Sequence, residues 1–86
     1  MQTMLVWRTL PESHEEAIEK FVSGDVVLPP GVKAVSHDHG IGIGFLKVES
    51  ETLAPVYSIC ADWAHLVRIE AYPVLGHAEA RAALKR

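Results

Sequence analysis

Eighty-six residues, eight basic and eleven acidic, allow one small domain spanning residues 1–86, with a net charge of −3 when the histidines are neutral. That balance gives no electrostatic footprint for nucleic acid, and no apolar run reaches the roughly eighteen residues a membrane span needs. Cys60 is the only cysteine, which excludes an internal disulfide and suits a reducing cytoplasm; with no charged leader ahead of an apolar stretch, a cytoplasmic protein is expected.

Met4 to Leu10 is a short apolar run ended by Pro11 and reads as a first strand. Ser13-His14-Glu15-Glu16 has the form of a capping box. Ala17, Ile18, Phe21 and Val22 follow at helical spacing until Gly24 stops the pattern. Ser23 to Gly31, with its Pro29-Pro30-Gly31, is a loop. Val32 to His39 is a second strand, and Gly40 to Gly44 turns into a third. There Ile41, Ile43 and Phe45 share one face, and Leu46 and Val48 the other. Ser50 or Thr52 can cap the next helix, provided Pro55 falls in its first turn. Leu53, Val56, Tyr57, Cys60, Trp63 and Ala64 form its apolar stripe. Val67 to Leu75 is a fourth strand, and the alanine-rich tail from Gly76 to Arg86 is helical.

The order βαββαβ predicts an α+β, ferredoxin-like domain: a four-stranded antiparallel sheet, both helices on one face, and a C-terminal extension. A domain this small buries only about 60% of its unfolded surface and gains from a partner. Strand one is apolar on both faces, Met4 and Val6 against Leu5 and Trp7, and two helices cover only one of them. A second copy on the uncovered face is therefore expected, giving a homodimer with its sheets facing each other.

The residues in order bear on a family. The tryptophan strand ending in Pro11, Pro30-Gly31-Val32-Lys33, His39-Gly40, Phe45 to Glu49, Ala61-Asp62-Trp63 and Pro73-Val74-Leu75 together resemble the short bacterial family known as domain of unknown function 3303. The resemblance covers nearly the whole chain. It implies a ferredoxin-like protomer of the dimeric α/β-barrel superfamily and carries no established reaction. Wider superfamily members include cofactor-free monooxygenases, muconolactone-type isomerases, haem-degrading enzymes and stress-response proteins, so the fold alone assigns no function. The chain departs from the family pattern at Asp38, where an aromatic is usual, and at Val6, where a polar residue is common.

His37-Asp38-His39-Gly40 is the strongest candidate site. Strand alternation sends both imidazoles to one face and Asp38 to the other. As a proton-transfer site, His39 with His37 would act as base near neutral pH. Arg8 would stabilise a developing enolate or phenolate, and Met4, Val6, Ile43 and Phe45 would hold an apolar or aromatic metabolite in a sheet-lined cavity. That scheme needs no cofactor and covers isomerase or monooxygenase chemistry. It requires all these side chains to share one face. The alternative class is a non-catalytic dimeric interaction or regulatory module with a packed interior.

A metal reading of the pair needs a third ligand from Glu49 or His65, which no spacing rule supplies, so no metal is assigned. Trp7, Trp63 and Cys60 read as core. Asp62 and His65 read as solvated helix-end groups, His14 and His77 as surface, and Arg68 with Glu70 fits a surface ion pair as well as a catalytic role. Gly40, Gly42 and Gly44 read as a turn followed by a bulged strand. An RNA-recognition reading of Gly42 to Val48 lacks the stacking aromatic, the leading basic residue and the positive charge.

Overall fold

The computed structural model describes residues 1–24 and 27–85; Asp25 and Val26 of the expected loop, and Arg86 of the tail, lie outside the described residues. Strand β1 is Gln2–Thr9, followed by a single 3₁₀ turn at Pro11–Ser13 and helix α1 at His14–Val22. Strands β2 (Lys33–Gly40) and β3 (Ile43–Glu49) form a hairpin, then come helix α2 (Ala54–Trp63), strand β4 (Val67–Val74) and helix α3 (His77–Leu84). The sheet order is β2-β3-β1-β4 with every pairing antiparallel, the ferredoxin-like arrangement the element order predicts.

Alternation along β1 splits the sheet into two unlike faces. Thr3 and Leu5 are buried on the side the helices cover, beside Leu46 and Val48 of β3 in register. Val56 and Ile59 of α2 close that core, with Trp7, Cys60, Trp63 and Ile69 packed against it. A second small cluster of Ala17, Leu66 and Val67 seats α1. Met4, Val6 and Arg8 alternate to the opposite, helix-free face.

Local departures from the expected elements have local causes. Ser13 stands at the N-cap of α1, but the preceding 3₁₀ turn takes its backbone out of the extended region a cap requires. Its hydroxyl instead reaches the His65 carbonyl at 3.5 Å. Neither Ser50 nor Thr52 caps α2, whose N-cap is Leu53; the Ser50 hydroxyl donates to the Thr52 carbonyl at 2.8 Å. Pro55 does fall in the first turn. The buried line of α2 runs through Val56 and Ile59, while Leu53 and Tyr57, at the edge of the expected stripe, face solvent. Gly42 supplies the positive φ of +72° in the β2–β3 turn, and the bulge lies on β2 between Ala34 and Ser36, not after the glycines.

One buried polar atom is left over. Thr3 has no exposed surface, and among the described residues its hydroxyl has no partner. An unmet hydroxyl in a core costs about 1–3 kcal/mol. Thr3→Val keeps the shape and removes the hydroxyl, so urea unfolding should show a gain of about 1 kcal/mol or more. A loss of stability would mean that the hydroxyl is satisfied in solution.

Candidate functional site

Histidines 37 and 39 project from β2 to the helix side of the sheet. The register fixes this: His39 pairs with Gly44 and Gly44 with Trp7, while His37 pairs with Leu46 and Leu46 with Leu5. The row His39–Gly44–Trp7–Ile69 thus crosses all four strands on one face. Gly44 has no side chain, and a Cβ built there would fall inside the Trp7 indole. The indole therefore lies across β3 and reaches the imidazoles on β2. Its centroid is 5.5 Å from that of His37 and 5.8 Å from that of His39, edge-to-face in both cases. Phe21 of α1 meets the same two rings from above, at 6.1 Å and 4.9 Å. The imidazoles themselves are 4.5 Å apart, tilted by 39°.

This four-ring group stands at the mouth of a cavity of about 230 Å³ between α1, α2 and the sheet. Buried Leu5, Leu46 and Ile59 and half-buried Trp63 and Ile69 lie deeper in it. Because the space lies beneath α1, that helix keeps its apolar face half open: Phe21 and Ile18, both lining the cavity, remain 45% and 48% exposed. Lys20 holds the helix in place from the side. Its ammonium donates to the Asp62 carbonyl at 2.9 Å, lies 3.2 Å from the Asp62 carboxylate, and sits 4.6 Å from the Trp63 ring centroid. His14, at the start of α1, also lines the cavity, with Nδ1 3.3 Å from the Thr9 hydroxyl.

Electrostatics at the pair favour the neutral form of His37. Partial burial pushes its pKa below the ordinary histidine value, the neighbouring His39 pushes the same way, and Asp38 opposes. Burial likewise raises the pKa of the Cys60 thiol, consistent with a core cysteine.

The expected constellation is divided between the two faces. Arg8, Met4, Val6 and Phe45 lie on the helix-free side, opposite the histidines, because β1 and β3 alternate out of step with His37 and His39. Arg8 thus has no access to the imidazoles within one protomer, and the apolar wall facing them is built instead from Trp7, Phe21, Ile18 and Trp63. Ile43, in register with Arg8, lies by the hairpin and contributes to the cavity rim. The ion pair expected between Arg68 and Glu70 is not formed among the described residues; Glu70 accepts a hydrogen bond from the Tyr72 hydroxyl. Asp62 is exposed but paired with Lys20, and His65 and His77 are exposed. The same described residues contain no cluster of three or more metal-ligating side chains.

Sequence reasoning missed the roles of Trp7, Phe21 and Gly44 in this site. The available signal was parity: a glycine between a tryptophan and a histidine on neighbouring strands lets the two rings meet. Among known proteins, a family model described as "Domain of unknown function (DUF3303)" matches residues 1–86. No curated protein and no solved structure matches.

The shifted histidine makes stability depend on pH with a definite sign. Since the folded-state pKa of His37 lies below the unfolded value, the unfolded chain binds more protons between the two. This contribution is fully present above about pH 6.5 and is lost as pH falls from there through the folded-state value. Urea unfolding between about pH 8 and about pH 5 should show His37→Gln losing less stability on acidification than the parent chain. Parallel profiles would contradict the assignment.

Proposed function

The chain belongs to the DUF3303 family, which brings no reaction with it, and we propose that it is a homodimeric small-molecule-binding protein with its ligand site on the helix side of each sheet. The observation that carries the reading is the cavity of about 230 Å³, walled by aromatic and aliphatic side chains with a histidine pair at its mouth. Mostly apolar concavities with a few convergent polar groups are where compact metabolites bind. The ligand is accordingly apolar or aromatic. Proton transfer from it to His39 or His37 is chemistry that neutral imidazoles support. With Arg8 on the other face, no lysine or arginine among the described residues lines the cavity to stabilise the resulting anion, so the site is read as one for binding.

The second copy belongs on the helix-free face. There Met4, Val6, Phe45 and Tyr72 make an apolar band, with Phe45 37% and Tyr72 47% exposed. Arg8 and Arg68 stand directly opposite each other in register, and neither is in an ion pair among the described residues. Like charges so placed repel. Asp38 and Glu70 lie one row along on the same face, in register with Phe45 and Val6. A two-fold partner can bring these acids over the guanidiniums while covering the band. No helix among the described residues is long and apolar enough to cross a membrane, and the free thiol of Cys60 suits a cytoplasmic setting.

Sedimentation equilibrium at micromolar concentration tests the assembly. The parent chain should sediment at twice its 9.4 kDa mass, and a Val6→Glu, Phe45→Glu double variant at the monomer mass. A monomeric parent, or a dimer untouched by the two charges, would contradict the docking face.

A further inference from the structure

The charge inventory of the cavity narrows its ligand. Its only titratable lining groups among the described residues are His14, His37 and His39; no lysine, arginine, aspartate, glutamate or tyrosine faces it. Asp38, between the two histidines, projects from the other side of the sheet. Trp7 and Phe21, the side chains packed against the pair from β1 and α1, do not titrate. His37 and His39 are exposed, but a fixed charge seated against the buried Leu5, Leu46 and Ile59 would shed water there without meeting a permanent counter-ion, which is unfavourable. The ligand is therefore neutral when bound.

Hydrogen bonding narrows it further. Among the described residues neither His37 nor His39 has a hydrogen-bond partner, and their rings stand 4.5 Å apart. A neutral imidazole carries one N–H donor and one acceptor nitrogen, so two side by side offer one of each to a single group between them. A hydroxyl answers both, donating through its hydrogen and accepting through its lone pairs. A carbonyl or ether satisfies only the donor, and a carboxylate requires a proton the site does not hold. The edge-to-face packing of Trp7 and Phe21 on the same imidazoles leaves aromatic surface beside that hydroxyl, suited to a flat ring.

We propose that the cavity takes a flat one- or two-ring apolar molecule bearing an acidic hydroxyl, a phenol or an enol, bound neutral with that hydroxyl bridging His37 and His39. The proposal rests on the ligand-binding reading above and specifies its chemical class. Such binding is strongest where the imidazoles are neutral and the hydroxyl is still protonated. It weakens on acidification as His37 takes up a proton, and on alkalinisation as the hydroxyl ionises.

The test uses the full chain at neutral pH and three probes that share one ring system: naphthol, methoxynaphthalene and naphthoate, substituted at the same position. Affinities are read by calorimetry. Naphthol should bind tighter than either analogue by about tenfold, the effect of roughly one net hydrogen bond. In a His37→Phe, His39→Phe double variant, checked for folding by its urea midpoint, the naphthol-to-methoxynaphthalene ratio should collapse towards one. Single His→Gln variants, which keep one imidazole, should give intermediate ratios. Equal binding of naphthol and methoxynaphthalene, or a preference that survives the double variant, overturns the hydroxyl bridge while leaving the cavity reading intact. A preference for naphthoate overturns the neutral-ligand claim. Binding of none of the three overturns the ligand-binding reading, and this proposal with it.

Discussion

The indole of Trp7 lies across Gly44, and the helix side of the sheet is organised around that contact. A β-strand normally keeps side chains two strands away apart, because the intervening residue fills the space above the middle strand. At Gly44 that space is vacant, so a β1 tryptophan touches two β2 histidines. The contact closes one wall of the cavity and places an aromatic edge against each imidazole. Adding even a methyl at Gly44 would force the ring out, and overpacking of that kind costs about 1–3 kcal/mol. For a domain of this size that is a sizeable share of total stability.

The same alternation that gathers the rings on one side leaves a different surface on the other. The helix side carries the core and a cavity with two imidazoles at its mouth. The helix-free side carries an apolar band interrupted by two arginines and two acids, all of which reach solvent in the isolated chain. The cavity and the outer apolar band therefore lie on separate faces and share only the strands between them. Strand β1 contributes to both, Trp7 to the cavity and Met4, Val6 and Arg8 to the outer band. A change of register by one residue in β1 would exchange the two sets and destroy both surfaces.

Much of this fold was legible in the sequence because periodicity carries it. The four strands, the order of elements and the proline in the first turn of α2 follow from short apolar runs, turn residues and the restrictions on proline. The local hydrogen bonding did not follow. Ser13 has a capping sequence, yet the 3₁₀ turn at Pro11–Ser13 aims its hydroxyl elsewhere. The site was half legible. The same-face pairing of His37 and His39 comes from strand parity within β2 alone. Which residues face them depends on the pairing register of β2 against β3 and β3 against β1, a non-local quantity that one sequence does not state. Hence Arg8 and Phe45, matched to the histidines by chemistry, lie on the opposite face, while Trp7, expected to be core, and Phe21, expected only on the apolar face of α1, line the cavity beside the histidines.

The central contact can be read directly from the light emitted by Trp7. With Trp63→Phe in place, Trp7 is the only tryptophan, and a protonated imidazole in edge contact quenches indole emission. Steady-state fluorescence should fall on acidification with a midpoint below about 6.5, the ordinary histidine value. The transition should vanish when both His37 and His39 are replaced by glutamine. Emission that is flat across this range, or a transition that persists without the two histidines, would contradict the arrangement of Trp7 over Gly44 and against the histidine pair.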